Sequence, residues 1–277
     1  MKILVTGANG YIGAKVVAAL IKKGHEVVCV DVSGERIDKR AKFICGDIFS
    51  GVDLYAEAGK PDICLHLAWR DGFIHNSPKH MGDLSAHFAF LTSMADAGVK
   101  QLAVMGTMHE TGYYVGAVDE NTPCRPMSMY GIAKNALREA MALYCKDKCV
   151  FQWLRAFYLY GDDEYGNSIF AKILRSARQG VTSFPLNSGK NKCDFLHVDV
   201  LSDQIARCVS QSEITGIINC CSGKAVALSE QIEQYIRDNG LSIKPEYGKY
   251  PDRPYDSPCI YGDNAKIARI CGRTEIC

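Results

Sequence analysis

The 277-residue sequence predicts an α/β fold, a doubly wound parallel sheet with a small C-terminal lobe, on three observations. Short apolar runs alternate with stretches of helical periodicity through the first 160 residues. The first run ends in a glycine-rich turn that opens a helix, and the second ends on a carboxylate, Asp31. The runs are continuous Val, Ile, Leu and Cys rather than alternating, as in strands covered on both faces.

Residues 2–5 are the first strand. Val16, Val17, Leu20 and Ile21 share one face of the helix that follows, and Gly24 stops it. Residues 27–30, 42–45 and 63–67 are the next apolar runs. Residues 80–97 carry Met81, Leu84, Phe88, Leu91 and Met94 at helical spacing and end before Gly98. A strand over 102–105, a helix over 130–144 and a strand over 150–154 come next. The remainder is less regular, with helices expected over 168–179, 200–209 and 229–238 and strands over 195–198 and 217–220. A Pro- and Tyr-rich stretch, 249–261, is expected to be an ordered loop. The dinucleotide-binding sheet domain is thus expected to span 1–156 and 196–219, and a small substrate lobe 157–195 and 220–277.

A net charge of +1 offers no footprint for a polyanion, so no nucleic-acid partner is expected. No apolar run approaches the ~18 residues that cross a bilayer, and the N-terminus shows no apolar h-region. A soluble, cytoplasmic protein without a membrane partner is the expectation. The 13 cysteines form no C-x-x-C pair. Cys29, Cys45 and Cys64 lie in apolar runs, where a thiol packs as a small hydrophobe. Cys145 with Cys149, and Cys220 with Cys221, lack neighbouring histidines, so no metal site is expected. Reduced thiols fit a reducing compartment.

Gly7, Gly10 and Gly13 fall as G-x-x-G-x-x-G between the first strand and the first helix. Without side chains there, the backbone can turn tightly and approach a pyrophosphate seated at the helix N-terminus. Asp31 can accept hydrogen bonds from an adenosine ribose and would repel a 2′-phosphate. The pattern favours dinucleotide binding over a bare turn, and NAD over NADP, although Ser33 and Arg36 keep NADP open.

Tyr-x-x-x-Lys puts a phenol and an ammonium one turn apart on a helix face, where the cation stabilises phenolate and lowers the tyrosine pKa. The pattern occurs at Tyr11/Lys15, Tyr130/Lys134 and Tyr144/Lys148, so position has to decide. Only Tyr130/Lys134 opens the helix after the fifth strand, whose C-terminal end carries Gly106-Thr107. That sheet edge is where ligands bind in doubly wound folds.

These motifs keep their order with Asp47-Ile48, His66-Leu67-Ala68, Leu154-Arg155, Tyr160-Gly161, residues 194–199, Arg253-Pro254 and Gly262-Asp263-Asn264 with Lys266. Over nearly its whole length the chain resembles the extended short-chain dehydrogenases/reductases. More narrowly, it is similar to the NAD-dependent epimerase/dehydratase family that works on nucleotide sugars. The resemblance implies a Rossmann-type fold and a catalytic set of Thr107, Tyr130 and Lys134. Thr107 would hydrogen-bond the reacting sugar oxygen and Tyr130 would exchange its proton. Lys134 would tune that tyrosine and hold the nicotinamide ribose. It further implies that Gly7, Asn9, Gly10, Tyr11, Ile12 and Gly13 hold the pyrophosphate side of the cofactor, with Asp31 and Val32 at the ribose. Asp47 and Ile48 would flank the adenine, and Leu67, Ala68, Trp69 and Tyr158 would complete the cofactor site. For the substrate it implies Arg70, His109 and Asn167. Cys193 stands where many members have a phosphate-binding arginine, so Lys192, Lys190 or Arg253 is expected to substitute.

Departures from the family narrow the chemistry. Sugar 4,6-dehydratases follow the catalytic threonine with Asp-Glu, and here Met108-His109 stand there. The segment from Gly106 through Glu110 to Gly112 is similar to the Gly-Thr-Cys-x-Glu-Tyr-Gly of some 4-keto-6-deoxysugar reductases. The expectation is therefore nicotinamide-dependent reduction of a nucleotide-linked 4-keto-6-deoxysugar, with a nucleotide-sugar 4-epimerase as the alternative. A non-catalytic NAD(P)-sensing protein is the third reading, which the retained Tyr/Lys pair disfavours. In this family the two helices over 80–97 and 130–144 often meet their symmetry mates. Here both carry apolar residues on more than one side, with Phe90 in the first and Leu137, Met141 and Tyr144 in the second. A homodimer through them is expected, with Phe90 or Met141 facing outward.

Overall fold

The computed structural model describes residues 1–161, 164, 166–252 and 256–272. Seven strands form one parallel sheet: β1 (Lys2–Thr6), β2 (Glu26–Asp31), β3 (Lys42–Cys45), β4 (Ile63–His66), β5 (Gln101–Thr107), β6 (Val150–Ala156) and β7 (Gly216–Cys220). Their order is β3-β2-β1-β4-β5-β6-β7, with the chain reversing direction across the sheet between β1 and β4. That reversal opens a crevice at the strands' C-terminal ends, where ligands bind in such sheets.

Alternate residues of β1 feed two cores, Ile3 and Val5 on one face and Leu4 on the other. Helices α1 (Tyr11–Lys22), with Val16, Val17 and Leu20, and α4 (Val198–Val209), with Leu201 and Ile205, cover the first face. Helices α2 (Leu84–Ala97) and α3 (Met129–Tyr144) cover the second with Phe90, Leu91, Leu137 and Met141. Coverage on both faces explains why these strands read as unbroken apolar runs.

A second, four-stranded sheet joins Val226–Ala227, Lys192–Cys193, Cys259–Gly262 and Gly116–Val118 in that order. The strand Cys259–Gly262 lies within the stretch expected to be a loop. Ile260 is fully buried there, a core position hidden in the sequence by the surrounding Pro and Tyr residues. The helix expected over 80–97 is two, Lys79–Gly82 and α2. Gly82 weakens the helix at that point, and the Asp83 carboxylate is drawn to Arg70.

Eight described cysteines are buried. Burial holds the Cys29 and Cys64 thiols up to about 12, so they pack as protonated hydrophobes. Cys45 departs from the expectation: it is exposed, because β3 is the edge strand. Among the described residues no helix is long and apolar enough to cross a membrane.

Candidate active site

The β1–α1 turn is a cradle for an anion. Gly7 adopts φ +68°, and a Cβ there would fall 2.5 Å from the Ala68 backbone nitrogen. A Cβ on Gly13 would fall 2.1 Å from the Gly7 carbonyl oxygen. Only glycine fits either position. Helix α1 begins at Gly10 with no side-chain cap and no acidic residue in its first turn. Its leading N–H groups and positive dipole end are thus presented to a phosphate. These features fit the pyrophosphate of a dinucleotide.

Asp31 ends β2 beside this turn, one carboxylate oxygen accepting from Asn9 N at 2.9 Å and the other from Val32 N at 2.8 Å. Asn9 latches the next loop. Its amide donates to Ser33 Oγ (2.8 Å) and Glu35 Oε2 (3.2 Å), and its carbonyl accepts from Arg36 N (2.8 Å). Val32 is exposed, Tyr11 reaches toward Gly161, and Ile12 packs on the core. Asp47 caps an exposed turn by accepting from Phe49 N at 2.9 Å, while Ile48 packs on the α2/α3 core. Leu67 and Ala68 follow β4 directly, with Ala68 against Gly7.

Thr107 closes β5 in the same crevice. Its side chain neighbours the phenol of Tyr130, in the first turn of α3. Ser128 caps α3 by accepting from Gly131 N, and Tyr130 N donates to His75 O (2.9 Å), which fixes the helix start against the β4 loop. Three imidazoles surround the phenol: His80 at 5.2 Å, His75 at 5.7 Å and His109 at 6.1 Å between ring centroids. Trp69 Nε1 donates to His80 Nδ1 (3.0 Å), so the His80 proton sits on Nε2 and reaches Ile74 O (3.0 Å). Burial pushes the His109 imidazole down to about 4, with His75 adding to the effect. It is therefore neutral at physiological pH.

The Lys134 ammonium is buried, donates to Met105 O (2.7 Å) and lies 3.9 Å over the Trp69 ring. Burial lowers it to about 7, against a partial upward pull from Glu110. The one-turn spacing predicted a tyrosine pKa lowered by this lysine. Instead burial raises the Tyr130 phenol above its ordinary value, and only the neighbouring Thr107 opposes it. Burial of the phenol outweighs the lysine, whose amine donates to Met105 O and lies over the Trp69 ring.

Among residues expected at the substrate, His109 lies beside Tyr130. Tyr158, expected at the cofactor, is 6.4 Å from His109, ring to ring. Arg70 turns to Asp83, with Nε donating at 2.8 Å. Asn167 is exposed just before the helix Ile169–Arg178, and Lys192 is exposed in the second sheet. Arg253 lies outside the described residues.

The sequence reading missed Glu110 and a buried histidine pair. His66 is hydrogen-bonded to Thr6 Oγ1 (2.8 Å) and to His87 (2.9 Å), and His87 stacks on Trp69 at 4.3 Å. Glu110 is fully buried and forms a capping box with Thr107 around the short helix Met108–Glu110. The Thr-x-x-Glu spacing carried that signal in the sequence.

The description "NAD dependent epimerase/dehydratase family" matches residues 3–221. The chain is 45% identical over 272 residues to a dTDP-6-deoxy-L-talose 4-dehydrogenase (NAD(+)) of Aggregatibacter actinomycetemcomitans, covering 95% of this chain and 99% of that protein. It is 26% identical to a UDP-glucose 4-epimerase of Lactobacillus helveticus, covering 98% and 91%. In fold it is similar to the UDP-glucose 4-epimerase of Thermus thermophilus solved with NAD, at a TM-score of 0.81 and 21% identity over 97% of this chain and 92% of that one. With its glycine cradle, its Thr/Tyr/Lys crevice and a match across most of its length, the chain belongs to the NAD dependent epimerase/dehydratase family.

Proposed function

We propose that this protein uses NADH to reduce the 4-keto group of a nucleotide-linked 6-deoxysugar. The observation that carries the reading is the placing of Thr107 beside the Tyr130 phenol, at the crevice edge of the sheet with Lys134 on the same helix. The 45% identical relative supports it, since oxidation at C4 is the same step run backward. Gly7, Gly10 and Gly13 hold the cofactor's pyrophosphate and Asp31 its adenosine ribose. The bound nicotinamide supplies the hydride. Thr107 donates a hydrogen bond to the sugar carbonyl oxygen, and Tyr130 delivers the proton as that oxygen gains charge. Lys134 holds the nicotinamide ribose and stabilises the phenolate left behind. Mixing purified protein with dTDP-4-keto-6-deoxy sugars should oxidise NADH stoichiometrically. A 4-epimerase, the second reading, is supported by the epimerase relatives and returns its hydride within each turnover. Sugar isomerisation without net NADH loss would select it.

Cofactor choice follows from the ribose loop. Asp31 and the Glu35 carboxylate stand on either side of the Asn9 latch, and a 2′-phosphate would meet both. The wild type should bind NADH more tightly than NADPH, and Asp31→Ala should narrow or reverse that preference. A fluorescence titration giving tighter NADPH binding in the wild type would refute this assignment.

We further infer a cytoplasmic homodimer built on α2 and α3. Phe90 or Met141 is expected from the sequence to face outward, but both are buried, because they complete the sheet-facing stripes. The outward stripe of α3 is instead Ile132, Ala136, Ala140 and Leu143, with Ile132 and Leu143 exposed. Between the helices runs an apolar groove of about 350 Å³ lined by Met81, Leu84, Phe88, Ala136 and Ala140. Large side chains on one helix beside alanines on the next suit a self-complementary, isologous contact with a second copy. Sedimentation at tens of micromolar should give a dimer, and Ala140→Asp a monomer that still binds NADH. A monomeric wild type would overturn this arrangement.

A further inference from the structure

Glu110 is fully buried and organises groups of the site. Its Oε1 accepts from the Thr107 backbone N–H at 2.7 Å and from Trp153 Nε1 at 2.8 Å. Its Oε2 faces the Arg155 guanidinium, at 3.3 and 3.4 Å, with Arg138 Nε at 3.7 Å. Glu110 and Arg155 are both fully buried. The Trp153 indole reaches the carboxylate only by lying on Gly106, where a Cβ would fall 2.1 Å from its Nε1. Constraints from two strands, β5 and β6, and from helix α3 therefore converge on the carboxylate that holds the Thr107 backbone amide.

We propose that Glu110 is the positioning residue of this site, a buried carboxylate that fixes Thr107 against Tyr130. The inference rests on the reading of Thr107, Tyr130 and Lys134 as the reacting set. A buried ion pair is a weak source of stability, since desolvation offsets most of its attraction. An ionised side chain with one oxygen on the Thr107 amide and the other on a guanidinium does more for orientation than for folding energy. Its charge also reaches the reacting groups, raising the proton affinity of both Lys134 and Tyr130. The other polar and charged groups facing Lys134 are Met105 O, Trp69, His66 and His87, and both imidazoles are held neutral by burial. Around Tyr130 they are Thr107, His75, His80 and His109. Among these described neighbours Glu110 supplies the negative charge that favours the protonated forms. Reduction needs both protons in place, one to deliver and one to hold the cofactor and the phenolate.

The test is the pH dependence of kcat in the reducing direction for Glu110→Gln and Glu110→Asp, with Tyr130→Phe in the same assay. Gln keeps the acceptor for Thr107 N–H but removes the charge. Its kcat should fall about tenfold with the sugar KM within about twofold, and the alkaline limb should move about one pH unit lower. Asp keeps the charge but retracts the carboxylate, so its limb should stay in place while kcat falls. A folded Gln variant whose limb coincides with that of the wild type overturns the proposal. Should the Gln variant not fold, Glu110→Asp decides alone, and wild-type kcat there overturns it equally. Retained turnover in Tyr130→Phe would instead refute the reacting set itself, whatever the Glu110 variants do.

Discussion

Tyr130→Phe lowers kcat for sugar reduction ~10²-fold or more and leaves NADH affinity within about twofold, the signature of a lost proton donor. The substitution is clean because the ring does the packing, so that only the proposed proton donor is removed. The Tyr130 ring stacks on His75 at an interplanar angle of 15° and meets the edge of Trp69, and phenylalanine keeps both contacts. What disappears is the hydroxyl beside Thr107. Burial holds that phenol above its ordinary pKa, so it is protonated throughout the physiological range and ready to donate without a prior proton uptake. The flanking His109, held down at about 4, is neutral and cannot supply a replacement proton as imidazolium at pH 7. Rapid-mixing measurement of NADH oxidation gives kcat, and fluorescence quenching gives the cofactor affinity. Turnover unchanged by the substitution would remove Tyr130 from the mechanism.

What the sequence made legible was whatever is local. The glycine cradle, the Asp31 strand end and the spacing from Tyr130 to Lys134 are each set within one strand–turn–helix unit, and short-range pattern reaches that far. The outward faces of α2 and α3 were misassigned for a related reason. Phe90 and Met141 look like surplus apolar residues until the sheet is present to bury them. The direction of the Tyr130 shift was misread because spacing along a helix states proximity but not burial, which outweighs the lysine. The Lys134 amine donates to Met105 O, 29 positions away in sequence. The Glu110 network was half visible. Its capping box with Thr107 is written in four consecutive residues, but Trp153 and Arg155 arrive from β6, about 45 residues later. The pairing of β5 with β6 is what joins them, opposing Gly106 to Arg155 and Val104 to Trp153.

Lys134→Met should yield an enzyme that is nearly inactive and an apoprotein that is more stable. The amine takes its proton near 10.5 in an unfolded chain but only near 7 in this fold, because burial penalises the ammonium. Each tenfold change in proton affinity corresponds to about 1.4 kcal/mol, so below pH 7 the fold bears a penalty of several kcal/mol at this one position. The sign follows directly. Between pH 7 and 10 the unfolded chain holds a proton that the folded chain lacks, so wild-type stability from this group rises with pH and reaches its floor below 7. Methionine has a similar length, packs against Trp69 and carries no charge, at the cost of leaving the Met105 carbonyl without the lysine's donor. The variant should therefore melt ~3 °C or more above the wild type at about pH 6, with the difference shrinking toward pH 10. Strain of this kind is retained where function requires it, which agrees with the role proposed for Lys134. Differential scanning fluorimetry of the ligand-free proteins across that pH range makes the comparison. A methionine variant that melts below the wild type at about pH 6 would mean that the hydrogen bond to Met105 O and the Trp69 contact outweigh desolvation, and that Lys134 is a net source of stability.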